Sequence, residues 1–182
     1  MSSLPSARVY GGWLAIVRIV TGAIWLSHGV SKFTQSARFM PPGGVMASYV
    51  ARGLQTASPP YHAFLANTVQ PNIMLFAELV RLGEVLVGVS LVLGVLTRVG
   101  GFFGIVLTLN YIAARGHMLS SATLQSTDFA LLMLSFIALV LPAGRVFGVD
   151  ALLGRRAPRV ERVRAEFVPE PPRQGPSAPP AP

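Results

Sequence analysis

Three charged residues stand inside an apolar stretch: Glu78, Arg81 and Glu84, within Asn72 to Thr97, NIMLFAELVRLGEVLVGVSLVLGVLT. Their i, i+3, i+6 spacing on a helix brings both carboxylates within reach of Arg81, the outer two ~120° apart. A charge at membrane depth is expensive, so it faces a protein interior or a wet cavity and takes a partner. A second series lies in Tyr10 to Phe33. Arg18, Thr21, Trp25, His28 and Lys32 follow at intervals of 3, 4, 3 and 4 residues. All five therefore share a strip ~80° wide. The other faces of that helix carry Leu14, Ile16, Val17, Ile19, Val20, Ile24 and Leu26. In a third apolar stretch Asn110 is the central polar residue, and its amide needs a partner there. Polar groups of this kind, few and convergent in an apolar surround, are suited to hold a small molecule or relay protons. A plainer use of the same residues is snorkelling of Arg18 and Lys32 to the two interfaces, with internal ion pairs that only fix helix register.

Composition narrows the chemistry. The chain has 182 residues, 52% hydrophobic and 12% charged, about half the ~25% charged content of an ordinary soluble domain. Long apolar runs with so few charges indicate an integral membrane protein. Lys and Arg number 15 against 7 Asp and Glu, a net charge of +8. With no nucleic-acid motif beside it, that excess is an orientation signal and a contact for anionic lipid heads. There is no cysteine, which removes disulfides, thiolate catalysis and iron–sulfur ligation by this chain. A redox role therefore needs a bound cofactor, a quinone or a partner protein.

The elements that must position these residues follow from the breaks. The fold class is all-α, an integral membrane four-helix bundle with interfacial helices in the first outer loop. Spans are expected at about 10–33, 72–97, 99–116 and 124–145, making 1–156 a four-span membrane domain. Residue Arg18 and the lack of a small-x-small cleavage site mark the first as an uncleaved span rather than a signal peptide. Between the first two spans Pro41, Pro42, Gly43, Gly44, Pro59 and Pro60 break the chain. Val45 to Leu54 and Tyr61 to Val69 then form short helices over the mouth of the bundle, with Tyr49, Tyr61 and Phe64 at headgroup level. The tight connection at Thr97-Arg98 makes spans two and three an antiparallel hairpin. Asp128 begins the last span with Thr127 as its N-cap, and Pro142 kinks its end. Residues 144–156 suggest a surface helix. From Val168 seven of fifteen residues are proline, so 157–182 is read as a basic, Pro-rich, disordered cytoplasmic tail.

Four spans place both termini on one side. That side receives Arg8, Arg98 and seven arginines from the last forty residues, nine cations, against Lys32, Arg38, Arg52 and Arg115 on the other. The positive-inside rule then sets both termini in the cytoplasm, in a plasma-membrane protein, and the long first loop outside. At ~1.5 Å per residue, His28 and Glu78 fall ~10 Å outside the midplane, and Glu84 and Asn110 within ~3 Å of it. The expectation is a polar pocket opening outward, with Glu84 and Asn110 as its floor together with Arg18. Glu84 is expected to pair with Arg81, Arg18 or both. The candidate ligand-pocket residues are Arg18, Trp25, His28, Lys32, Glu78, Arg81, Glu84 and Asn110; no catalytic residue and no metal site is assigned.

Several of these stretches together resemble one family. The run R-x-x-x-G-x-x-W-L-x-H-G-x-x-K, Arg18 to Lys32, is similar to the first helix of DoxX-type membrane proteins. So is F-A-x-L-x-x-x-G-E-x-x-x-G-x-x-L-x-L-G-x-x-T-R, Phe76 to Arg98, with Gly83-Glu84. Asn110-Tyr111 and the closing G-R-x-x-G-x-D, Gly144 to Asp150, also match, so that the resemblance covers roughly 10–156. It implies a four-helix, redox-associated membrane subunit, such as DoxD of thiosulfate:quinone oxidoreductase. On that resemblance the chain is at most an accessory subunit of a quinone-linked oxidoreductase. A quinone or similar amphiphile is the expected ligand, a redox protein the expected partner, and the bilayer its surround. No nucleic acid is expected, and the chain is compatible with an oligomer. Haem is disfavoured, since His28 and His117 stand without a further motif. A small-solute or proton carrier, or a scaffold docking a soluble partner, are the alternatives.

Overall fold

A computed structural model describes residues 7–116, 120–141 and 148–150. Those residues are helical or in turns, with no strand among them. Helix α1 is Ala7–Thr34, followed by a single turn α2, Ser36–Phe39. Helix α3 is Val45–Thr56, and α4, Pro59–Phe64, starts on its two prolines and continues as a π-helical turn, Leu65–Val69. Helix α5 is Ile73–Leu93 and α6 is Thr97–Ala114. A short α7, Ser121–Leu124, precedes α8, Thr127–Val140. The segments Gly11–Thr34 and Thr97–Ala114 are long and apolar enough to cross a membrane, and α8 is apolar but shorter. Helix α5 has the length but carries Glu78, Arg81 and Glu84.

Two expectations about α8 change. Its cap is Ser126, whose hydroxyl accepts from Phe129 N at 3.2 Å, and Thr127 is already in the helix. The helix is also shorter than the expected span, with 14 residues. The expected kink at Pro142, the surface helix at 144–156 and the tail lie outside the described residues, apart from 148–150.

The long helices pack in a closed cycle, α1 on α5, α5 on α6, α6 on α8 and α8 on α1. Small residues set the tightest of these seams. A Cβ at Gly88 would lie 2.6 Å from Leu26 N, and one at Gly22 would lie 2.7 Å from Val92 N, so only glycine allows the α1–α5 backbones to touch. Gly29 faces Val85 in the same way. These facing pairs run in opposite directions along the two helices, which makes α1 and α5 antiparallel in one fixed register. Gly101 and Gly104 do the same for α6 against Ser135 and Ala138 of α8. Trp25 fills the centre, fully buried, with its indole N–H donating to Ser135 Oγ at 3.2 Å. Val87, Leu91, Leu131 and Ala138 complete that core. A second small core, Val50, Leu65 and Val69, seats α3 and α4 on Ile73 and Phe76 at the start of α5.

Candidate functional site

The α1–α5 register decides which charges meet. Lys32 comes level with Glu84, and its ammonium donates to Glu84 Oε2. From the other side Tyr111 of α6 donates its hydroxyl to Glu84 Oε1 at 2.7 Å. Glu84 is 1% exposed while the Lys32 side chain keeps 22%, so the carboxylate is sealed and the ammonium reaches the surface of the site. Lys32 also lies over the Phe39 ring, 5.6 Å from its centroid. The carboxylate thus has both oxygens satisfied, one by a charge and one by a phenol, as a buried charge requires.

Above this group opens a cleft of about 1280 Å³. Its polar wall includes His28, Lys32, Glu84, Asn110 and Tyr111; α3 and α4 cover it with Tyr49, Val50, Tyr61 and Leu65. It runs on as an apolar trough between α5 and α6, lined by Leu79, Leu86, Leu93, Val99 and Phe103. The trough exists because α5 packs its closest face on α1 and α6 packs its closest face on α8, so the α5–α6 seam is the looser one. The cover is pinned to α6 rather than to α1. Tyr61 donates to Asn110 Oδ1 at 3.0 Å, and Thr56 Oγ1 donates to Ala114 O at 3.1 Å. Burial raises the Tyr61 phenol above its ordinary value of 10.0, which keeps it a donor. At the rim Arg115 pairs with Asp128 at 2.7 Å.

The expected pocket is therefore divided. His28, Lys32, Glu84 and Asn110 line the cleft; Arg18, Trp25, Glu78 and Arg81 do not. The pairing expected for Glu84 is corrected, since its partners are Lys32 and Tyr111 and neither Arg81 nor Arg18. Arg81 instead forks onto Glu78 on its own helix, donating from Nε at 2.6 Å, and donates to Ser36 Oγ at 3.3 Å. Its guanidinium carbon lies 4.3 Å from the Phe33 ring centroid, so this pair ties α2 to α5 outside the cleft. Arg18 sits fourteen residues from Lys32 on α1, ~21 Å along the axis, at the opposite end.

There Arg18 packs against Gly94, the left-handed residue that ends α5 with φ 69°. Asp150 completes this cluster, and sequence reasoning gave it no role beyond closing a motif. Its carboxylate accepts from Leu96 N at 2.9 Å and from Thr97 N at 3.1 Å, and also from the Thr97 hydroxyl. It therefore caps the first turn of α6 and holds Leu96 in a left-handed conformation, φ 49°, that a leucine adopts only at a cost of ~1–2 kcal/mol. Burial alone would raise the Asp150 pKa. The hydrogen bonds from Thr97 and Leu96, then the charge of Arg18, outweigh it and bring the carboxyl below its ordinary 3.8. The one signal for this in sequence is an acid fifty-odd residues beyond a helix start, which no local rule reads. Tyr111 was legible only as part of Asn110-Tyr111. His117, the second histidine weighed for haem, lies outside the described residues. Among the described residues no group of three or more His, Asp or Glu is placed to hold a metal ion.

A family model described as DoxD, TQO small subunit DoxD, matches residues 13–168. The match passes residue 156, where the resemblance read from the sequence stops, and takes in the basic stretch APRVERVRAEFV, 157–168. No curated protein and no solved structure matches.

Proposed function

We propose, since the chain belongs to the DoxD family, that this redox-associated membrane subunit binds a quinone or a similar long-chain amphiphile in its cleft. The ring would lie against Lys32, Glu84 and Tyr111 and the chain in the trough between α5 and α6. One observation carries this reading: an ion pair with a sealed carboxylate and an accessible ammonium shares a single cavity with an apolar trough. Lys32 has three N–H bonds, and Glu84 engages one, so donors remain for a ring carbonyl. Tyr111 donates its hydroxyl hydrogen bond to Glu84, which leaves its oxygen lone pairs as an acceptor for a quinol hydroxyl. The Lys32–Glu84 pair is neutral as a unit and so suits an uncharged ring. A volume of about 1280 Å³ exceeds the ~300–1,000 Å³ of ordinary small-molecule sites, which fits a ligand with a tail.

The bilayer completes the picture. Helices α1, α5, α6 and α8 serve as spans, both termini lie in the cytoplasm, and α3 and α4 lie along the outer interface of the plasma membrane. The three charges of α5 are compatible with spanning because Glu84 is enclosed and Glu78 is held by Arg81 near the α2 end. Helix α8 covers only ~21 Å of a ~30 Å core, and α7 packs at its outer end to extend it. Without cysteine of its own, the chain relies on the bound quinone and a partner protein to carry electrons, in keeping with the small-subunit description of its family.

Titration with a short-chain quinone tests the reading, on wild type, His28→Ala and Glu84→Gln. Saturable binding by wild type, weakened in both variants and most in Glu84→Gln, is expected. No binding, or binding indifferent to both changes, would remove the ligand and leave a scaffold.

A further inference from the structure

The two ion pairs of the cleft do not use all its charge. Four cations line it, Lys32, Arg38, Arg52 and Arg115, against two carboxylates, Glu84 and Asp128. With His28 neutral, the wall carries a net charge of +2. Lys32 holds Glu84 and Arg115 holds Asp128. Arg38 and Arg52 remain, both exposed, and neither side chain has an ion-pair partner among the described residues. They come from different segments, α2 and α3, which pack on each other over the mouth. The same two segments also give the wall apolar Phe39, Val45 and Met46. With α2 and α3 at the outer interface as proposed above, two guanidinium groups on the wall of a cleft that continues as an apolar trough match a ligand with an anionic head and a hydrocarbon body. Guanidinium is the side chain best fitted to phosphate, since its fork bonds two oxygens at once.

We propose that the mouth of the cleft holds the phosphate of an acidic membrane lipid between Arg38 and Arg52, with the acyl chains closing the open side of the α5–α6 trough. The lipid is then a fourth wall of the site. A free oxyanion would be served by the two arginines alone, but it would leave the apolar part of that wall uncovered. The proposal rests on the outward, headgroup-level placement of the mouth proposed above and is independent of what binds at Glu84.

The test uses the full-length protein in mixed micelles with phosphatidylglycerol or phosphatidylcholine, read by native mass spectrometry. Wild type is expected to retain one phosphatidylglycerol in preference to phosphatidylcholine. The double variant Arg38→Gln, Arg52→Gln should retain it roughly 10-fold less or worse, with an unchanged melting temperature, because both residues are exposed. Arg98→Gln, at the other end of the molecule, should retain it as wild type does. Equal retention of the two lipids, or unchanged retention by the double variant, overturns the proposal. So does equal loss in Arg98→Gln, which would mean diffuse surface attraction. Displacement of the lipid by millimolar inorganic phosphate would assign the arginines to a small anion and also overturn it. A quinone titration of the same double variant separates the two readings, since affinity at Glu84 can fail or survive independently of lipid retention.

Discussion

Two buried charges of this protein, Glu84 and Arg18, are each 1% exposed, yet they sit in opposite kinds of surroundings. Glu84 meets Lys32 and Tyr111 at the wall of an open cleft, and Lys32 keeps part of its surface in that cleft. Arg18 packs against the backbone of Gly94 near Asp150, with no part in the cleft, where the neighbouring groups are already helix ends and turns. Both charges were legible as costly. The difference teaches that burial of a charge marks a ligand site only where unfilled space adjoins it; where the space is filled, the same cost stabilises a joint. The Glu84 group presents a donor to the cleft, and the Arg18 group ties residues 148–150 and the start of α6 to α1.

Substitutions in the two groups should therefore separate stability from binding. The largest effect is expected from Glu84→Leu, which leaves Lys32 unpaired at the cleft wall and should cost about 3–5 kcal/mol. Its melting temperature should fall steeply and its quinone affinity vanish. Glu84→Gln keeps the bond from Tyr111 and should lose affinity with a much smaller loss of stability. If Glu84→Leu melted like wild type, the carboxylate would not be sealed as described. Asp150→Asn should come next, costing about 1–2 kcal/mol for weakened caps on Leu96 and Thr97, with ligand affinity unchanged. A loss of affinity there would couple the two ends and break the comparison.

Acid should act on the Arg18–Asp150 group through the Asp150 carboxyl. Asp150 has its pKa lowered by folding, so its contribution is present above the ordinary 3.8 and is lost as pH falls through the folded value. Melting temperatures recorded downward from pH 6 should show a drop below about pH 4 that Asp150→Asn lacks. Parallel curves for the two proteins would deny Asp150 its role. The smallest effect is expected from Tyr61→Phe. It removes the bond to Asn110 from a half-buried residue and should cost about 1 kcal/mol or less, while hydrogen exchange at the α3–α4 cover rises. No change in exchange would mean that the apolar seat of Val50, Leu65 and Val69 holds the cover unaided.

The sequence by itself determined roughly where helices run, but it put the α5–α6 break at Thr97-Arg98, whereas the left-handed Gly94 ends α5 at Leu93 and Thr97 already opens α6. Apolar runs fixed α1, α5 and α6, and the prolines and glycines of 41–60 fixed the short α3 and α4 between them. It also determined that Lys32 and His28 share a face, because a 3–4 spacing is a property of one helix. Pairing between helices was not legible. From spacing alone Arg81 was the natural partner of Glu84, since both lie on α5, but Glu78 lies equally close to Arg81 and α2 offers it Ser36. That choice was made by the α1–α5 register, set where Gly22 and Gly88 let the two backbones touch, which slides Lys32 level with Glu84 and leaves Arg18 at the far end. Asp150 caps a helix that starts fifty-three residues earlier in the chain. Such contacts depend on rigid-body placement of whole helices, and a periodicity read along one helix carries no information about its height against the next.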